Sequence, residues 1–240
     1  MLGGGRALLM QAAHPLVAAA VVRHSGYREE PWRRLARTMT ALYTIVFGTR
    51  EDADGAGAAV QAVHADIPGA QNAGAQFWVH STLVDTGLVM YERCVRRLAQ
   101  REREEFYEQM TVVAQVFGVP ERVLPPTLAD FRVYQRDLIE SDVLSVGADA
   151  RAIAETVLQP PVPAALRPAV RTLALLNVGL LPEPLRERYG LGFGRRERAL
   201  LAASDRVARR LVVPLLPRPL RDLTPRRTAL SFALLSAFGR

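Results

Sequence analysis

PWRRLARTMTALYTIVFG, residues 31–48, sets the fold class of the chain. Its large apolar side chains, Trp32, Leu35, Met39, Leu42 and Val46, recur at steps of three and four, which is the period of one face of an α-helix. Pro31 stands at the first turn, where a proline's missing N–H is no loss. Gly48 stands where a left-handed C-terminal cap belongs. The spacing therefore predicts a helix that turns this stripe toward a core.

The same period continues in both directions. Upstream, residues 6–23 are rich in Ala, Leu and Val and read as one buried helix, kinked at Pro15 where the bond to the Gln11 carbonyl is lost. Downstream, helices are expected over residues 53–66, 77–99, 102–117, 127–138, 148–158, 164–180, 183–189, 195–211 and 224–238, with loop over residues 69–76. The proline-rich pieces at 160–163 and 214–219 are too short for domain linkers and read as rigid connectors. No alternating strand pattern and no internal repeat interrupts them. The expected architecture is all-α, a single globular multi-helix domain over residues 1–240.

Composition agrees with that size. The 240 residues are 49 % hydrophobic and 23 % charged, enough to bury a real core. All 31 basic residues are arginine, and the net charge is +7. The arginines are interleaved with acids, as in Arg101-Glu102-Arg103-Glu104-Glu105, so they read as a solvated helical surface and not as a nucleic-acid face. The single cysteine, Cys94, allows no internal disulfide and suits a reducing compartment. Residues 1–5 carry no basic stretch ahead of an apolar one, and no apolar run reaches the roughly 18–20 residues of a membrane span. A cytoplasmic protein is expected, with peripheral membrane contact left open.

Chemistry is concentrated at one end. All four histidines, His14, His24, His64 and His80, fall in the first 80 residues. Histidine is the commonest nitrogen ligand for iron, so metal chemistry is expected there. His64 shares the stripe of Val60, Val63 and Ile67 and suits either a haem ligand or a core histidine bonded to a carbonyl. His80 shares a face with Val84, Gly87 and Tyr91, where Gly87 leaves room for a flat ligand or for close helix packing. His14 precedes Pro15 among small residues, as a ligand pocket or a tight helix contact would require. His24 reads as a helix-end cap. Arg34, Arg37 and Thr38 share one face, either as a carboxylate clamp with a hydroxyl beside it or as an exposed basic surface. Asp85 and Glu92 lie seven apart, with Arg96 four beyond, as a metal site with His14 and His80 or as a polar network with Arg96 as counter-ion. Gly3-Gly4-Gly5 follows no strand and is no phosphate loop.

Several motifs together resemble a known family. Gly3-Gly4-Gly5-Arg6-Ala7-Leu8-Leu9-Met10-Gln11-Ala12-Ala13-His14-Pro15 is similar to the opening motif of the latex-clearing (rubber oxygenase) and mpaB-type oxygenase family. Trp32-Arg33-Arg34-Leu35-Ala36-Arg37-Thr38, Val46-Phe47-Gly48, Val63-His64, Trp78-Val79-His80-Ser81-Thr82-Leu83-Val84-Asp85, Tyr91-Glu92-Arg93 and Phe117-Gly118-Val119-Pro120 extend the resemblance along nearly the whole chain. It implies an all-helical oxidoreductase with b-type haem on one histidine, acting with dioxygen on an apolar small molecule. It puts His64 at the iron-ligand position. Arg34 and His80 join the cofactor contacts, and Arg37 and Thr38 fall at the distal side. Rubber enzymes carry lysine where this chain has Arg37, and arginine stays protonated and cannot ligate iron. No carboxylate matches their acid–base residue, so His14 is the substitute candidate in the same helix. The chain opens almost on the first motif, so an upstream helix is expected to be missing. The competing readings are a non-haem metal enzyme using His14, His80, Asp85 and Glu92, and a non-catalytic helical module that binds a lipid or other apolar ligand.

Overall fold

The computed structural model describes residues 3–24 and 29–207. Among them eleven α-helices follow one another and no strand occurs. They are α1 (Gly4–Ala12), α2 (Pro15–His24), α3 (Pro31–Phe47), α4 (Arg50–Ala65), α5 (Ala73–Cys94), α6 (Gln100–Val116), α7 (Leu128–Glu140), α8 (Ala148–Leu158), α9 (Arg167–Leu180), α10 (Glu183–Arg188) and α11 (Arg195–Val207). The helix expected over 224–238 and the end of that over 195–211 lie outside the described residues.

Two apolar cores share α5. Trp78 enters the first, with Leu9, Met10, Leu144, Ile153 and Leu185. Phe77 and Val84 enter the second, with Tyr107, Met110, Leu128 and Phe131. The first half of α5 is thus buried almost all round its circumference.

Helix α1 is fixed to this frame by polar contacts. Arg6 is 3 % exposed. Its guanidinium donates from Nε to the Leu180 carbonyl at 2.7 Å and from Nη1 to the Thr86 hydroxyl at 2.6 Å, and it pairs through Nη2 with Asp85. The Arg6 N–H donates to the Asn177 side chain at 2.9 Å, and a Cβ at Gly5 would collide with that side chain. At the other end of α1, the Trp78 indole N–H donates to the Met10 carbonyl at 3.0 Å and the Tyr189 hydroxyl to the Leu9 carbonyl at 2.8 Å. These satisfy carbonyls that a helix C-terminus leaves open.

The kink expected at Pro15 is a complete break. Pro15 is the first residue of α2, and α1 and α2 meet at 107°. With Met10 and Leu9 bonded elsewhere, and the Ala13 carbonyl taken by the Ser145 N–H at 2.8 Å, nothing is lost by ending the helix there. No single helix among the described residues is long and apolar enough to cross a membrane.

Helices α3 and α4 form an antiparallel hairpin that departs from expectation in three ways. First, the α3 stripe is only partly covered by other described residues: Met39 and Leu42 are half-buried, Trp32, Leu35 and Val46 are exposed although the Trp32 indole donates to the Pro161 carbonyl at 3.2 Å, and Ile45 is the residue that is buried. Second, Val63 on the α4 stripe is 69 % exposed. Third, Gly48 is extended (φ −76°), not left-handed, and is needed because a Cβ would stand 2.4 Å from the Thr44 carbonyl oxygen. Helix α4 starts three residues earlier than its apolar pattern, at a capping box between Thr49 and Asp52. The hairpin docks on α6 at Gly57, where a Cβ would lie 2.5 Å from the Val116 carbonyl oxygen, and through the Gln61 amide, which donates to that carbonyl at 3.0 Å.

Two predictions follow from these contacts. Asp85→Ala leaves a dry guanidinium without its counter-ion and costs about 3–5 kcal/mol. Arg6→Met costs less, because Asp85 retains access to water, and the double substitution Arg6→Met/Asp85→Leu recovers most of the loss; urea-denaturation midpoints measure all three. In α4, Gly57→Ala lowers stability by about 1–3 kcal/mol through overpacking. Gly55→Ala, at a position with nothing within 4 Å, raises it by up to about 1 kcal/mol through helix propensity. Thermal unfolding by circular dichroism separates the two signs.

Candidate functional site

The candidate residues lie on α2, α3, α4 and α5. The antiparallel hairpin brings the start of α3, with Arg34, Arg37 and Thr38, to the same end as the close of α4, with His64.

Arg34 is partly buried. Burial, and then the charge of Arg37, lowers its pKa from the ordinary guanidinium range. Among the described residues it has no acidic partner. Arg37 and Thr38 are exposed. The Thr38 hydroxyl donates to the Arg34 carbonyl at 3.0 Å, so its oxygen faces any ligand as an acceptor.

The histidines differ sharply. His24 is exposed at the end of α2. His64 is exposed, although desolvation by its surroundings still lowers its pKa. It is therefore neither a core histidine nor, among the described residues, one enclosed in a pocket. His14 sits at the α1–α2 elbow, 8 % exposed, with Nδ1 unbonded and its pKa lowered by burial. His80 is 4 % exposed on α5, and neither Nδ1 nor Nε2 has a hydrogen-bond partner. The Met110 carbonyl is close enough to favour the charged ring slightly, but it makes no bond of proper geometry with either nitrogen; burial dominates and pushes the pKa down to about 4. Leaving buried polar groups unpaired costs about 1–3 kcal/mol each. Among the described residues these three imidazole nitrogens are the only buried side-chain N or O atoms in that state.

The carboxylates are committed elsewhere. Asp85 is held by Arg6, and Glu92 pairs with Arg103 at 2.6 Å. Arg96, expected as their counter-ion, pairs instead with Glu102. Among the described residues no three His, Cys, Asp or Glu side chains come together to hold a metal ion. The non-haem set of His14, His80, Asp85 and Glu92 is thus not assembled. Gly87 serves close packing, since a Cβ there would meet the Phe106 ring at 3.1 Å. An open cleft of about 460 Å³, lined by Arg93, Glu183, Arg186, Phe193 and Arg198 among others, includes none of the histidines. Sequence reasoning missed Arg6, although a lone charge inside an apolar helix is itself a signal of a buried pair.

His80 has a consequence for acid stability in the ligand-free chain. Burial pushes its pKa down to about 4 in the folded chain from the ordinary 6.5, so the unfolded chain binds the extra proton between those values. The neutral ring's contribution is intact above pH 6.5, falls as pH drops toward 4 and is gone below it. At about 1.4 kcal/mol per pH unit the loss is about 3 kcal/mol. Urea midpoints at pH 7, 5.5 and 4 should show this slope in the parent and most of it absent in His80→Leu; an equal slope in both assigns the effect to other groups.

Comparison with curated proteins and with solved structures returns no match. Comparison with protein families matches residues 1–210 to the catalytic domain described as ER-bound oxygenase mpaB/B′/rubber oxygenase. That match spans both cores, the α3–α4 hairpin and all four histidines, and the chain belongs to this oxygenase catalytic-domain family.

Proposed function

We propose that the chain is a haem b-dependent oxygenase acting with dioxygen on an apolar small molecule. One observation carries the reading: the buried side-chain atoms left unbonded among the described residues are all imidazole nitrogens. A dry, neutral imidazole is the form that ligates iron. A bare metal ion needs several protein donors, and none are assembled beside these rings. A haem would need a single nitrogen from the protein, since the macrocycle brings its own donors. The donor set therefore fits haem better than a non-haem metal.

The other residues fit the same group. Arg34, desolvated and without an acid among the described residues, suits a haem carboxylate, with Arg37 one turn on adding positive charge. Trp32, Leu35 and Val63 offer uncovered apolar surface at the same end of the hairpin. His64 is the iron ligand that the family resemblance assigns. Haem, when bound, supplies a centre that activates dioxygen for insertion into a substrate bond. The chain's part is to hold and shield it. Arg37 would stay protonated and could not itself ligate iron. His14 carries an unbonded Nδ1 at the elbow, and burial lowers its pKa and so favours the neutral ring, which can hydrogen-bond a ligand there. Thr38 presents its hydroxyl oxygen as an acceptor. A reducing cytoplasm suits Cys94, the single cysteine of the chain.

Protein purified from haem-supplemented cells should show a b-type absorption spectrum and about one haem per chain by pyridine haemochrome assay, the stoichiometry set by a single axial site. Arg34→Gln should lower haem affinity by about tenfold, the equivalent of one charge-assisted bond. Folded protein carrying iron but no haem band would turn the reading to non-haem chemistry, and metal-free protein that binds apolar ligands would turn it to a binding module.

A further inference from the structure

We propose that the open cleft at α10 and α11 is a second ligand site, and that it takes a phosphate monoester joined to an apolar body. The cleft has a volume of about 460 Å³ and includes none of the histidines, so the proposal stands apart from the haem reading. Arg186 from α10 and Arg198 from α11 face it, and Arg93 from α5 adds a third guanidinium to its lining.

Arg186 carries the argument. Its side chain is only 13 % exposed, yet its contacts are long. Nη1 reaches the Leu181 carbonyl and Nη2 reaches Glu183, each at 3.4 Å, and the guanidinium carbon lies 5.2 Å from the centre of the Phe193 ring. N–H···O bonds ordinarily fall at about 2.7–3.2 Å. Arg6, the buried guanidinium of α1, makes bonds of 2.7 and 2.6 Å to Leu180 and Thr86. Glu183 is 72 % exposed, so water screens its charge and it neutralises Arg186 poorly. Arg198 is tied by one bond, from Nη1 to the Phe193 carbonyl at 3.1 Å, and pairs with no acid among the described residues. Two guanidinium forks, each able to grip two oxygens, thus meet at one aromatic residue. A carboxylate has two oxygens and one charge. A phosphate monoester has three terminal oxygens and a charge of about −1.5 to −2 at pH 7, which suits both forks.

A phosphate group fills a small part of the cleft. The remaining wall is apolar: Phe193, seated on Gly179 where a Cβ would come within 2.4 Å of the ring, with Leu201 and Ala202 beside it. An apolar body on the ester would lie there. Residues 208–240 carry seven arginines against one aspartate, so like charge opposes their filling a cleft lined by arginine.

Titration calorimetry on the full chain tests the site, with phenyl phosphate, inorganic phosphate and benzoate as probes. Phenyl phosphate should bind tightest, because it alone meets both the forks and the apolar wall. Arg186→Gln and Arg198→Gln should each weaken it about tenfold, the equivalent of one charge-assisted bond. Arg198 is exposed, so its variant keeps the result readable if Arg186→Gln folds poorly. Arg195→Gln, at an exposed arginine outside the lining, should bind as the parent does. A soluble ester and a phosphatidic-acid headgroup share this chemistry. Co-sedimentation with phosphatidylcholine vesicles carrying phosphatidic acid, weakened in Arg198→Gln and not in Arg195→Gln, assigns the lipid source; phenyl phosphate binding without that difference assigns the soluble one. Folded parent that binds neither probe, or a loss shared equally by Arg195→Gln, overturns the site. Benzoate binding as tightly as phenyl phosphate overturns the phosphate class.

Discussion

The structure depends on a guanidinium buried in its first helix. Arg6 reaches α5 through Asp85 and Thr86 and reaches α9 through the Leu180 carbonyl, so three helices distant in sequence are pinned at one point. A charge so dry is tolerated only when its hydrogen-bonding capacity is met, and the loss of one partner costs more than the pair contributes. That asymmetry makes the network a device for position more than for stability. Once Arg6 is seated, α1 can lie only where Trp78 and Tyr189 meet its last carbonyls, and the elbow carrying His14 follows.

The sequence made the helices legible, but not what covers them. Residues 148–158 form α8 as expected, and Pro31 opens α3, because both features rest on local chemistry: a periodic apolar run and a proline that fits a first turn. The α3 stripe was equally visible, yet periodicity states which face is apolar and not whether another helix lies over it. The break at Pro15 was read as a kink because its outcome depends on remote donors, Trp78, Tyr189 and Ser145, that relieve the carbonyls of α1. Gly48 was placed correctly for the wrong reason, close approach standing in for a left-handed turn. Thr49 and Asp52 were readable as a cap and were passed over in favour of the apolar pattern.

The same distinction governs the candidate site. That chemistry lies in the first 80 residues was legible from the histidine positions alone. Which histidine is dry was not, because His64 and His80 both sit at helical spacing with apolar neighbours. Burial separates them. α5 is enclosed by two cores, while the hairpin bearing His64 docks on α6, in part through a glycine and an amide, and leaves Trp32, Leu35, Val46 and Val63 exposed.

Two kinds of imbalance occur in the described structure. Apolar side chains on α3 and α4 lack cover among the described residues, and imidazole nitrogens within lack partners. Each is unfavourable alone, the first by the hydrophobic effect and the second by desolvation. Distributed at random they would call for separate explanations. The same structure carries Arg34, partly buried and without an acid among the described residues, while the other buried side-chain N and O atoms described are bonded. On the proposed reading, haem would cover apolar surface on α3 and α4, pair with Arg34 and take one imidazole nitrogen. Neither a small metal ion, which covers no apolar surface, nor a lipid, which offers a nitrogen lone pair no Lewis acid, would do so. It is this coincidence of deficits, more than any one residue, that gives the haem reading its physical basis.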